Sequence, residues 1–225
     1  MRKLLLGVIW MTISLGAAGA TGRPQEATVA LPEPTIVGEV TLEEVLAERR
    51  SVREYTDEPL SLRTIAQLAW AAQGVSDAGS GFRTAPSAGA TFPIEVDLII
   101  NGADGLQDGV YRYDPRDHAL RLRLEGDMRL ELHQAALLQA WVRDAPLVIV
   151  VSGVVARTEG RYGERAERYV HMEAGHVAQN VYLQAQALGL GTVAVGAFDE
   201  EAVASVLELD GGQRALYLLP VGRPR

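Results

Sequence analysis

Apolar positions recur along this chain with two periods, and the switches between them mark out its elements. Thr41-Leu42-Glu43-Glu44 has capping-box spacing: a hydroxyl and a glutamate three residues on each accept a free N–H at a helix start. A short helix is predicted to run from there to 48. Ser61 caps a second helix, with Leu62, Ile65, Leu68, Ala69 and Ala72 on its apolar face and Gly74 as its stop. Residues 74–93 follow neither period, are rich in Gly, Ser, Ala and Pro, and are predicted to form a long loop of the kind that carries function. Strands are predicted at 94–100, 110–113 and 119–124, the last two a hairpin around Asp114-Pro115-Arg116-Asp117. A helix is predicted over 127–141. The unbroken apolar run at 146–151 predicts a strand covered on both faces. A long helix over 161–188 closes at Gly189. A strand at 192–195, a helix at 200–207 and a last strand at 215–219 complete the pattern. Helices alternate with strands and fall on both sides of one sheet, which predicts a single α+β or α/β sandwich.

The two ends of the chain read differently. Arg2 and Lys3 precede an apolar stretch from Leu4 to Leu15, and Ala18-Gly19-Ala20 offers a small-residue cleavage site. Residues 1–20 are therefore expected to be a signal peptide, with an uncleaved membrane anchor as the alternative. Export beyond the cytoplasmic membrane, without stable membrane insertion after cleavage, follows from the first reading. Residues 21–38, with Pro24, Pro32 and Pro34, read as a linker or N-terminal arm, and 39–225 as the folded domain.

Composition then excludes several classes of function. The chain of 225 residues is 48% hydrophobic, enough for a large core. Its formal charge is −8 with no cluster of basic residues long enough to track a phosphate backbone, which argues against nucleic acid. There is no cysteine, so disulfides, thiolate catalysis and cysteine-based metal centres are excluded. His171 and His176 stand at i and i+5, about 140° apart on a helix, whereas a zinc helix needs i and i+4. No metal site is expected, and packing in a subunit interface is the preferred role for this stretch.

Four segments carry candidate chemistry. Arg49-Arg50-Ser51-Val52-Arg53 gathers three guanidiniums and a hydroxyl, a set able to wrap a phosphate, and equally the composition of a solvated basic turn. Thr84-Ala85-Pro86-Ser87-Ala88-Gly89-Ala90 is built of small residues that let a flat ligand lie close to the backbone, or form a plain loop. The strand ending in Gly196-Ala197 exposes amides at its tip that can donate to a heterocycle. Arg223 and Arg225 follow the last strand, as a phosphate clamp or a frayed tail.

In this order, and joined by Glu-Ala-Gly-His-x-x-Gln-Asn on the long helix and the Gly-Ala-Phe-Asp and Val-Gly-Arg-Pro endings, the segments make the chain resemble the nitroreductase superfamily. The closest resemblance is to its SagB/ThcOx branch, which includes azoline dehydrogenases, and it covers about 39–225. It implies an α+β three-layer sandwich with a central mixed sheet, FMN as cofactor, and a homodimer with two sites at the subunit interface. By position, Arg49, Arg50 and Ser51 would hold the FMN phosphate and ribityl chain. Arg53 would lie near the pyrimidine edge, where a cation favours the reduced ring. Pro86, Ser87 and Ala88 would come from the other subunit to cover the ring. The Gly196 and Ala197 amides would face N5 and O4, and Arg223 and Arg225 would complete the phosphate site. The implied activity is an oxidoreductase passing electrons between a small-molecule donor and acceptor in two half-reactions. The alternatives are a peptide- or azoline-type dehydrogenase using oxygen, a flavin-binding protein without turnover, and an interaction domain whose arginines are surface charges. The azoline enzymes of this branch use a Lys-Tyr pair, whereas Lys3 is the single lysine here and lies in the expected signal peptide. No side chain stands out as acid or base; Tyr55, Tyr162 and His176 are the candidates.

Overall fold

The computed structural model describes residues 27–225. The expected signal peptide lies outside them, as does the first part of the expected arm. The remainder of the arm opens with an edge strand, β1 (Thr28–Ala30).

The capping box forms as its spacing requires. Glu44 N–H donates to Thr41 Oγ1 at 3.3 Å and Thr41 N–H to Glu44 Oε2 at 2.9 Å, starting α1 (Leu42–Glu48). Ser61 accepts the Thr64 N–H at 3.2 Å and starts α2 (Leu62–Gln73), which buries Ile65, Leu68, Ala69 and Ala72. Inside the predicted loop lies a small hairpin, β2 (Val75–Asp77) with β3 (Phe82–Arg83). Next come β4 (Ile94–Ile100), β5 (Gly109–Asp114) and β6 (Ala119–Glu125). The helices α3 (Arg129–Ala135) and α4 (Ala140–Asp144) lead into β7 (Leu147–Val154). After these follow α5 (Ala156–Tyr162), α6 (Ala166–Ala187), β8 (Gly191–Thr192), α7 (Glu200–Val206) and β9 (Gln213–Gly222).

Seven strands form the central sheet in the order β1-β6-β5-β4-β7-β9-β8. Its strand pairs are antiparallel, and its parallel element is one bridge at the edge, Ser51 to Thr192. Alternate side chains of the two central strands enter opposite layers, as pleating demands. Val96, Leu98, Ile149 and Val151 pack with α2 and α6, whereas Ile99, Val148 and Val150 pack with α3, α4 and α7. The chain is thus a helix–sheet–helix sandwich of the α+β class. Asp97 shares the second face and is fully buried, but Arg112 grips both its oxygens at 2.7 and 2.9 Å and Arg123 lies 3.3 Å away. A buried carboxylate persists only when paired in this way.

Three predicted elements break where apolar periodicity alone carried them through. The helix expected over 127–141 divides into α3 and α4, because Leu137 and Leu138 adopt φ of 56° and 60°. The long helix expected from 161 begins at 166; Gly163, at φ 53°, separates it from α5. The strand expected at 192–195 is two residues of β8 followed by one bridge from Val195 to Leu218.

Candidate cofactor site

The arginine segment leaves α1 in extended form, Arg49 having φ −50° and ψ 130°. Val52 N–H donates to Thr192 O at 2.9 Å, laying the segment alongside β8. This close approach needs a glycine opposite: a Cβ on Gly191 would stand 2.5 Å from Val52 Cβ. Further on, the Tyr55 hydroxyl donates to Val52 O at 2.6 Å and lies 3.1 Å from Pro220 O, pinning the turn to β9. Burial pushes that phenol well above its ordinary range, so it serves as a donor only. Thr56 N–H donates to Arg223 O at 2.9 Å and Arg225 N–H to Glu54 O at 3.3 Å. Three of the four sequence segments therefore meet at one end of the sheet.

Their polar groups are in large part unspent. Arg49, Arg50 and Arg53 make no ion pair with a carboxylate among the described residues. The Arg49 guanidinium stacks 4.9 Å from the centre of the Tyr182 ring, and that of Arg53 5.5 Å from Trp141. Arg50 folds back, donating to Ala47 O at 2.9 Å and Arg49 O at 2.7 Å. Arg223 pairs with Glu58 at 2.8 Å, both half exposed, a pair that a phosphate can displace at little cost. Gly196 and Ala197 are exposed, and neither backbone N–H has a partner among the described residues. The Ala197 carbonyl accepts from Gln139 at 2.7 Å, which fixes the plane of the following peptide. Unpaired cations beside free, oriented amides fit a group with an anionic end and a polar heterocycle.

The Pro86-Ser87-Ala88 loop sits elsewhere. Ala88 N–H donates to Glu173 Oε1 at 2.7 Å, and Ser87 Oγ accepts the Phe92 N–H at 2.9 Å. Gly89 adopts φ +60°, and a Cβ there would meet Arg161 Cδ at 2.6 Å. Both clusters rest on α6, this loop at Glu173 and the arginine segment at Tyr182, about 13 Å apart at ~1.5 Å rise per residue. Within one chain they do not converge. A groove of about 760 Å³ between residues 35–42, α2 and α6 touches neither the arginines nor the amide pair. Among the described residues the arginine cluster is an open surface.

Two residues escaped the sequence reading. Tyr182 joins Ser51 to Ala194 through its hydroxyl, at 3.0 and 2.8 Å. Glu173 is buried, its Oε2 without a partner among the described residues, and desolvation raises its carboxyl above the ordinary range. Helical spacing placed both on α6 but gave no sign of what they touch. His171 and His176 are exposed on the same helix.

The chain is thus an α+β sandwich that gathers arginines and free amides at one end of its sheet. The Nitroreductase family model matches residues 46–223, and the chain belongs to this family, whose members are typically flavin-dependent oxidoreductases. It is 46% identical over 195 residues to a protein of Methanocaldococcus jannaschii described as a nitroreductase, covering 87% of this chain and 96% of that one. It is 30% identical over 133 residues to the trifolitoxin-processing protein TfxB of Rhizobium leguminosarum, covering 57% of this chain and 36% of that protein, which accords with the SagB-like branch. A crystal structure of a protein described as a nitroreductase, from Ralstonia eutropha, superposes with a TM-score of 0.77 at 29% identity, over 91% of this chain and 92% of that one.

Proposed function

We propose that this chain is an exported, FMN-dependent oxidoreductase that works as a homodimer with two interface sites. The observation that carries the reading is that, among the described residues, three arginines without a carboxylate partner meet the partnerless Gly196 and Ala197 amides at one sheet end. Arg49, Arg50 and Ser51, with Arg223 and Arg225, would hold the phosphate and ribityl chain. Arg53 would place positive charge at the pyrimidine edge, which favours electron uptake. Gly196 and Ala197 would direct their N–H groups to N5 and O4. Pro86, Ser87 and Ala88 of the second subunit would close over the ring and exclude water. When bound, FMN supplies a ring that takes two electrons from one small molecule and yields them to another. The test is the absorbance of the protein, residues 21–225, after incubation with FMN and desalting. Retained bands near ~370 and ~450 nm support the reading. A folded but colourless protein overturns it.

A second reading, dehydrogenation of a modified peptide with oxygen as acceptor, draws on the likeness to a trifolitoxin-processing protein. The absence of lysine after Lys3 separates this chain from a Lys-Tyr mechanism. Turnover of peptide azolines in air without NAD(P)H would favour this reading, and turnover dependent on an added reductant the first.

A further inference from the structure

The hydroxyl of Tyr182 lies between two groups of the arginine cluster. Ala194 N–H donates to it at 2.8 Å, and Ser51 Oγ stands 3.0 Å away. A backbone N–H can only donate, so the phenolic oxygen accepts there. Its own proton then needs an acceptor, and among the described residues Ser51 Oγ is the one in reach. Were Ser51 to donate instead, the phenolic proton would have to turn away from the protein to solvent. Pairing every donor within the protein runs the chain one way: Ala194 N–H to Tyr182, Tyr182 O–H to Ser51, and the Ser51 proton outward from an exposed residue. Each bond polarises the next, making the serine a better donor than a free hydroxyl. The Arg49 guanidinium, stacked on the same ring, stands beside this outlet.

We propose that Tyr182 is a positioning residue that commits Ser51 to donate to an anionic phosphate oxygen, and that it links the phosphate end of the site to the segment running from Ala194 to the Gly196–Ala197 amides. This deepens the flavin reading and rests on it. It assigns to the long helix a role in phosphate discrimination as well as in packing.

The experiment compares FMN with riboflavin, which shares the ring and ribityl chain and lacks the phosphate. Dissociation constants are measured by flavin fluorescence quenching on the full-length dimer of the wild type, Tyr182→Phe, Ser51→Ala and the double variant. Tyr182→Phe keeps the ring under Arg49 and removes only the relay. It is expected to weaken FMN roughly threefold, since Ser51 keeps its own bond and loses the polarisation behind it, with riboflavin unchanged. In the Ser51→Ala background it should have no further effect on FMN. Equal weakening of FMN and riboflavin, or no change in either, overturns the relay. If Ser51→Ala weakens FMN while Tyr182→Phe does not, the relay fails and the phosphate site stands. If the wild type binds FMN no more tightly than riboflavin, the phosphate site itself fails. Should Tyr182→Phe not fold, 3-fluorotyrosine at position 182 keeps the shape and strengthens the donor. The FMN-to-riboflavin preference should then rise roughly twofold at neutral pH, and an unchanged preference overturns the proposal.

Discussion

Single residues decide how much binding energy the site has to spend. Arg50 gives part of its guanidinium to the carbonyls that end α1, yet meets no carboxylate. Its remaining donors are free for a phosphate, so Arg50→Ala should weaken FMN binding by roughly 1.5–3 kcal/mol, read by equilibrium titration. Glu173 makes a prediction of another kind. Desolvation raises its carboxyl in the folded state, so the native protein holds that proton more tightly than the unfolded chain. The stabilisation this gives is complete below the unfolded value, about 4.3, and is lost as pH rises through the higher folded value. Glu173→Gln stays neutral and can still accept the Ala88 N–H through its carbonyl. Its melting temperature relative to wild type should therefore climb as pH rises from about 4 to 8. A difference that stays flat across that series would show that the carboxyl ionises without cost. Neither residue's surroundings were legible in the sequence. The acid looked like one more polar position on a helix, and only the approach of the 84–90 loop buries it.

At the scale of elements, the site depends on how closely the arginine segment lies against β8. Gly191 permits that approach, since a Cβ there would stand 2.5 Å from Val52 Cβ and 2.6 Å from its Cγ2, with no flexible end to yield. Gly191→Ala should lower stability by about 1–3 kcal/mol, measured by denaturant unfolding, and displace Arg49 to Arg53 enough to weaken FMN binding. In the sequence this glycine stands two residues past the Gly189 helix stop, as a lead-in to the next strand. Its second role depends on a parallel bridge between residues far apart in the chain, which no local pattern encodes. The helix starts, by contrast, were fully legible: the Thr41–Glu44 box and the Ser61 cap form as their spacing required, because capping is chemistry within four residues. The breaks at Leu137–Leu138 and Gly163 were missed because an apolar pattern runs through a positive-φ turn without interruption.

At the scale of the whole molecule, the described residues leave an apolar surface uncovered. Ile36, Val37, Val40, Leu42 and Leu46 are all more than two-fifths exposed and fall within eleven residues, flanking or lining the groove beside α6. Apolar patches of that kind mark interaction surfaces. In the proposed dimer this face meets its mate, and the arginine cluster of one subunit meets the 84–90 loop of the other. Leu46→Glu, a change at an exposed position that leaves the core untouched, should give monomers in sedimentation velocity and with them a protein that no longer retains FMN. A monomer that keeps FMN at wild-type affinity would place the whole site on one chain.

The sequence by itself determined the class of fold, the two-faced central strands, the helix caps and the ordered set of motifs. Each of these depends on spacing within a few residues or on composition. Tertiary structure decided which of the motifs share a site. The bridges Ser51–Thr192 and Tyr55–Pro224 bring the arginine segment, the segment leading from β8 to the Gly196–Ala197 amides, and the C-terminal arginines together. Glu173 and Tyr182 hold the second segment and the first at different points of α6. Periodicity reports which face of an element is buried, and it is silent on which distant segment lies against that face. That choice is made by strand pairing and side-chain hydrogen bonds across the chain, and it is what turns separate arginines and glycines into one candidate site.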